Sequence, residues 1–310
     1  MTPADADDTA AMNGHCDKDQ EMFHRTSDPH RQHRAITRRD SLRVGMLGVG
    51  GLVLSDLLGL RTTAAPTGSH VKTPPDITAT FSIVAVDPED NVCGAAVASR
   101  YPAVGKVVPY VRAGVGAFCT QHHHVPKWGE PALDMLLQGK RPAAVIHELL
   151  KDDEDADLRQ LAIIDMRGRA AVHNPTGAGK DSLYWGAMTG RFYSCQGNTL
   201  TGRAVVVAMS TAYEETAGSL ADRLMAALIA ADCAGGDHRG RLAAGIRVAK
   251  QGVDGDWLAL HVDKSDDAVI ELARKYAELK HDAKGSWTGG RLPFQHPCPD
   301  RIKPAAPVKP

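Results

Sequence analysis

The stretch that most constrains this chain is Thr80-Phe81-Ser82-Ile83-Val84-Ala85-Val86-Asp87, an apolar run of strand length opened by a hydroxyl residue. An unbroken run of small and branched apolar residues reads as a strand covered on both faces, which places it inside a layered fold. Its first residue adds a chemical constraint. If the chain is cut between Ala79 and Thr80, the new α-amine, with an ordinary pKa of ~8, sits on the same residue as the hydroxyl and can serve as its base. Threonine is also common in strands, so a plain strand start is the alternative.

The rest of the body follows a repeated plan. Val92 to Ser99 is a second apolar run, joined to the first by the turn cluster Pro88-Glu89-Asp90-Asn91 as a hairpin. Val107 to Arg112 and Val115 to Gln121 form another pair around Ala113-Gly114. Helices are predicted from Pro131 to Leu137 and from Pro142 to Lys151, each with proline in its first turn, before an acidic loop over 152–157. Leu158 to Met166 pairs with Arg169 to His173 across Arg167-Gly168, while Asn174 to Gly190 reads as loop. Phe192 to Cys195 leads into Gln196-Gly197-Asn198. Two helices come next, Arg203 to Glu215 and one capped by Ser219 with Asp222 three residues on. After Gly235-Gly236-Asp237-His238-Arg239-Gly240-Arg241, strand-like runs return at Leu242 to Val248 and Trp257 to Val262, and a last helix starts at Asp266. Hairpins outnumber β-α-β crossovers, which argues against a doubly wound parallel sheet. The predicted class is α+β, a four-layer αββα sandwich of two antiparallel sheets with helices outside.

Several of these segments carry a resemblance. Thr80 to Ala85 with Asp87-Pro88-Glu89, Gly94 to Ser99, Ala103 to Pro109, Ala113 to Ala117 with Thr120-Gln121, Gln196-Gly197-Asn198 and Gly235 to Gly240 occur in an order and spacing that resembles the domain-of-unknown-function family numbered ten twenty-eight. The resemblance runs from Thr80 to Leu279 and implies an N-terminal-nucleophile hydrolase-like fold. Members commonly open this strand with Thr-Phe-Ser directly after a start Met or a signal peptide. They often continue the glycine-rich segment with Gln-Ser-Ala, where this chain has Leu242-Ala243-Ala244; if those polar residues line the pocket in relatives, either a different substrate selection or a loss of activity is expected here.

Ahead of Thr80 the chain reads as an address. Residues 1–36 are polar and lack apolar periodicity, as a disordered leader would. Thr37-Arg38-Arg39-Asp40-Ser41-Leu42-Arg43 followed by the apolar Val44 to Leu60 resembles a twin-arginine export signal over 37–65, and 66–79 reads as a linker. Ser41 departs from the usual aromatic, and a retained N-terminal membrane anchor is the alternative to a cleaved signal. The expected location is periplasmic or extracellular, with no stable membrane span after processing. The tail, 280–310, is proline-rich and expected to pack little.

Composition excludes some functions. Lys plus Arg number 36 against 37 Asp plus Glu, which leaves no field for nucleic acid. Cys16, Cys93, Cys119, Cys195, Cys233 and Cys298 contain no C-x-x-C pair, so they read as small buried hydrophobes and not as a disulfide scaffold or metal framework.

Acyl transfer needs a nucleophile, a base and donors for an oxyanion. Thr80 with its freed amine would supply the first two. Asn198 is the preferred side-chain donor, since a neutral amide can face developing charge; a turn residue is its plainer reading. Gln121, Gln196, Asp237 and Arg239 are the candidate substrate-binding residues, the last two as partners for a substrate amine and carboxylate or as a structural ion pair. His122-His123-His124 could place two imidazoles on one strand face, with His173 or Asp237 as a third zinc ligand, yet no spacing fixes a metal site and an ordinary polar loop fits as well. No metal or cofactor is therefore expected. The function expected is hydrolysis of a small amide or peptide-like substrate by an exported protein that could form a homo-oligomer. The rival classes are a non-catalytic binding or oligomeric scaffold and a metal-dependent hydrolase using the histidines.

Overall fold

A computed structural model describes residues 77–78, 80–176, 182–279 and 298, all within the unit Ser69–Pro310. The readings made for 1–36, 37–65, nearly all of 66–79 and nearly all of 280–310 lie outside the described residues.

Two antiparallel sheets form the centre. One has six strands in the order β11-β10-β3-β2-β9-β8; the other has β1-β5-β6-β7, with β4 also on β5. The first comprises β2 (Thr80–Asp87), β3 (Val92–Ser99), β8 (Gly186–Gly190), β9 (Tyr193–Gly197), β10 (Ala243–Lys250) and β11 (Leu258–Val262). The second comprises β1 (Ile77–Thr78), β4 (Pro109–Arg112), β5 (Gly116–His123), β6 (Arg159–Asp165) and β7 (Ala170–His173). A short helix α1 (Val104–Val107) precedes β4; α2 (Gly129–Leu137) and α3 (Pro142–Leu150) precede β6; α4 (Ala204–Glu215) and α5 (Leu220–Cys233) precede β10; and α6 (Ala268–Ala277) follows β11.

Strand parity sorts the side chains into three apolar layers. Phe81, Ile83 and Ala85 pack against α4, α5 and α6 together with Leu224, Leu228, Met209 and Tyr276. Val84 and Val86, on the other face of β2, meet Ala117, Cys119, Ala162 and Ile164 of the second sheet. Phe118, Leu161 and Ile163 then pack on Leu133 and Val145 of α2 and α3. Helix, sheet, sheet, helix is the αββα order expected. The capping box of α5 is present in full: Ser219 Oγ accepts from Asp222 N at 3.3 Å, and Ser219 N donates to Asp222 Oδ2 at 2.9 Å. No helix among the described residues is long and apolar enough to cross a membrane.

Three local expectations are corrected. Part of the expected loop Asn174 to Gly190 is strand β8, whose glycine-bounded Gly186–Gly190 carries little pattern and owes its conformation to pairing with β9. The strand expected from Val107 begins only at Pro109, and Val104–Val107 is the short helix α1, whose Gly105 packs against Gly245 so closely that a Cβ at either would fall within 2.8 Å of the other's Cα. Finally, Cys233 is disulfide-bonded to Cys298, with 5.5 Å between their Cα atoms, so the tail is tied to the end of α5 at that point. A spacing of 65 residues gives no local sign of such a pair. Cys93, Cys119 and Cys195 are free and buried, as small hydrophobes should be.

Candidate functional site

Thr80 opens β2, a central strand of the six-stranded sheet, and is fully buried. It lies opposite Ser99 of β3, and its carbonyl accepts from Asn198 N at 2.9 Å. By parity it faces the same way as Ser82, into the layer between the sheets. There the layer changes character: the apolar contacts of Val84 and Cys119 give way to amides.

Those amides form one connected network. Ser82 Oγ donates to Gln121 Oε1 at 2.6 Å and accepts from Gln196 Nε2 at 2.6 Å. Gln121 Nε2 donates to Gln160 Oε1 at 2.7 Å and to Thr80 O at 3.4 Å. Asn198 Nδ2 donates to the same Gln160 Oε1 at 2.9 Å, while Gln160 Nε2 reaches Asn174 Oδ1 and Gly197 O, both at 2.9 Å. Gln121, Gln160, Gln196 and Asn198 are all fully buried. Gln196 Oε1 and Asn198 Oδ1 are buried with no hydrogen-bond partner. Two acceptors left over in a closed, uncharged network mark a place where further donors can be received.

Sequence reasoning singled out Gln121, Gln196 and Asn198 but missed Gln160 and Ser82. Their signal is parity. Gln160 shares the inward face of β6 with Ala162 and Ile164, and Ser82 shares that of β2 with Val84 and Val86. A polar residue at an inward position of an otherwise apolar strand needs a partner.

The segment after α5 closes this end of the six-stranded sheet. Gly235 and Gly236 have φ of 109° and 53°, a turn that side chains resist. Arg241 returns beneath it to a buried ion pair with Asp232. Asp237 is fully buried; its carboxylate accepts from Arg239 N at 2.9 Å, from the Arg239 guanidinium at 3.3 Å and from Arg100 N at 3.3 Å. Arg100 Nη1 in turn donates to Arg239 O at 2.8 Å. Of the two readings given for Asp237 and Arg239, the structural ion pair is present.

The histidines do not stand as alternating strand residues. His122 has φ of 63°, which breaks the alternation and brings its ring to 4.9 Å from that of His123. His122 Nδ1 donates to Leu158 O at 2.6 Å, and His173 Nε2 donates to Ala156 O at 2.9 Å. Burial holds His122 below the usual imidazole pKa, aided by the charges of Arg239 and Arg159. Burial, then Arg159, lowers His123 as well. Among the described residues no group of three or more His, Cys, Asp or Glu is placed to hold a metal ion. The described free thiols are poor nucleophiles, since burial pushes Cys93 and Cys119 up to about 12 and Cys195 well above its usual value.

Against known proteins, residues 80–272 match a family model described as a family of unknown function, DUF1028. A crystal structure of a protein from Silicibacter pomeroyi, carrying the same family description, aligns with a TM-score of 0.59 and 28% identity over 66% of this chain and 90% of that one. Among curated proteins none matches.

Proposed function

This chain belongs to the DUF1028 family of unknown function, and within it we propose an amide hydrolase whose nucleophile is Thr80 once the chain is cut at Ala79-Thr80. The observation that carries the reading is the position of Thr80, first residue of a central strand, facing a buried layer of uncharged amides. The freed α-amine takes the proton from Thr80 Oγ, the oxygen attacks the substrate carbonyl, and the departing amine leaves with that proton. Water then hydrolyses the ester with the α-amine again as base. Asn198 Nδ2, which also donates to Gln160 Oε1, is the amide donor for the developing oxyanion, and the unpaired Gln196 Oε1 and Asn198 Oδ1 can accept from substrate N–H groups. The three described free thiols are buried and raised in pKa, so they do not compete as nucleophiles.

Intact-mass measurement alongside a panel of small amides tests this reading. Thr80→Ala is expected to abolish turnover and Thr80→Ser to retain part of it. Full activity in a chain that still carries Ala79 would defeat the free-amine mechanism. We further propose export through the twin-arginine route; the Cys233–Cys298 disulfide supports an oxidising destination. Changing Arg38 and Arg39 together to Lys is expected to leave the precursor in the cytoplasm, and unchanged export would remove that reading.

A further inference from the structure

We propose that the processed site recognises an extended peptide, which adds as a strand to the edge of β5 at His122 and His123, where the chain's own β1 lies before cleavage. The proposal rests on the hydrolase reading and names its substrate class.

The argument starts from a change of sheet. β1 belongs to the five-stranded sheet, whereas Thr80 opens a strand of the six-stranded sheet. Only residue 79 separates Thr78 from Thr80. The chain therefore changes sheet between Thr78 and Thr80, the interval that contains the bond whose cleavage frees the nucleophile. Thr78, two residues before the nucleophile, pairs with β5, and Thr80 on the amine side of the bond opens β2. Any peptide carried to Thr80 along the path of the leader approaches on β5.

The register defines the docking edge. Ile77 lies opposite His123 and Thr78 opposite His122, antiparallel. β4 pairs with β5 only from Gly116 to Cys119, and β6 takes up the other side as far as His122. Two residues of strand are too few to stay paired once cut loose. Their departure uncovers the main-chain groups of β5 that pair with β1, a template for another extended chain, while His123 O keeps the bond it accepts from Arg159 Nη1 at 2.7 Å. Gln121, next in β5, already donates to Thr80 O at 3.4 Å, so the docking edge and the nucleophile are linked through one residue. Main-chain pairing supplies the affinity, and the peptide's second and third residues before the scissile bond take the places of Thr78 and Ile77. In the reaction the Thr80 Oγ–carbonyl bond forms as the peptide C–N bond breaks, the amine half leaves with the proton, and water releases the acid half.

The test uses the chain beginning at Thr80. Among the described residues only Ile77 and Thr78 of the leader pair with the body, so that chain keeps β2 to β11 and all six helices. Three probes are compared: blocked Ile-Thr-Ala aminocoumarin amide, the blocked Ala amide, and the tripeptide amide N-methylated at each backbone position in turn. The expected result is at least a tenfold higher kcat/KM for the tripeptide than for the Ala amide, lost on N-methylation at one of its residues. Equal turnover of the two, or an advantage that survives every N-methylation, overturns strand addition. If no amide is turned over, the hydrolase reading fails. Hydrogen exchange at His122 and His123 with a peptide of residues 70–79 then decides: protection supports the docking edge, and none overturns it.

Discussion

The layer between the two sheets is made twice from the same strands, and the two ends differ only in residue choice. Toward one end, Val84 and Val86 of β2, Ala117 and Cys119 of β5, Ala162 and Ile164 of β6 and Ala95 of β3 pack without a polar atom to satisfy beyond the thiols. Toward the other, the same inward positions carry Thr80 and Ser82, Gln121, Gln160 and Ser99, joined by Gln196 and Asn198 of the chain around β9. Buried amides contribute little net stability even when paired and cost about 1–3 kcal/mol for each group left unpaired. Apolar side chains at those positions would hold the sheets together as well or better. A stretch of core that is polar, connected and two acceptors short of satisfied is not what stability alone would select.

The comparison is broken hardest at Gln160. Gln160→Leu strands the Gln121 and Asn198 donors and the Gly197 carbonyl, so it should cost on the order of 4 kcal/mol and remove turnover together with stability; denaturant melts beside amide hydrolysis would show both losses. Ile164→Ala at the apolar end should cost about 3 kcal/mol through the cavity it opens, while kcat/KM of the folded fraction stays unchanged. An equal loss of activity at both ends would erase the distinction between them.

Removing the staple beside the polar end comes next. Cys298→Ser should lower stability by about 2 kcal/mol, since Cys233 ends α5 immediately before the Gly235 to Arg241 segment. A melting temperature indifferent to reducing agent would show that the bond contributes nothing.

The smallest effect is with pH. Folding lowers the pKa of His122 and His123 below 6.5, so the unfolded chain takes up protons first as pH falls. Stability is full above that value and declines as pH drops through the lower, folded pKa values. His122→Asn, suited to the positive φ there, should flatten part of this decline and leave the part due to His123. An unchanged slope between pH 7 and 5 would contradict it.

How much of this was legible without the fold depended on range. The strands over Thr80–Asp87, Val92–Ser99 and Arg159–Asp165, the proline-led α2 and α3 and the Ser219 capping box follow from periods and caps that act within a few residues. Gln121, Gln196 and Asn198 were found because each stands at the end of a strand-like run in a segment that resembles the family. Gln160 was overlooked because nothing within its own strand distinguishes a polar inward position from a strand that has simply begun.

What the sequence determined by itself was most of the elements, though not β1, α1 or β8, their antiparallel pairing into two covered sheets, and the hydroxyl at the head of a central strand, because alternation and turn chemistry are local. Only the tertiary structure decided which amides meet, that Asp237 is spent on Arg239 and Arg100, that His122 leaves the strand alternation, and that β1 belongs to the sheet opposite Thr80. The decisive contacts join residues far apart in the chain, such as Ser82 with Gln121, 39 positions apart, and Arg100 with Asp237, 137 positions apart. At such separations the partner is chosen by which strands stack and in what register, and no single segment of the chain contains that information.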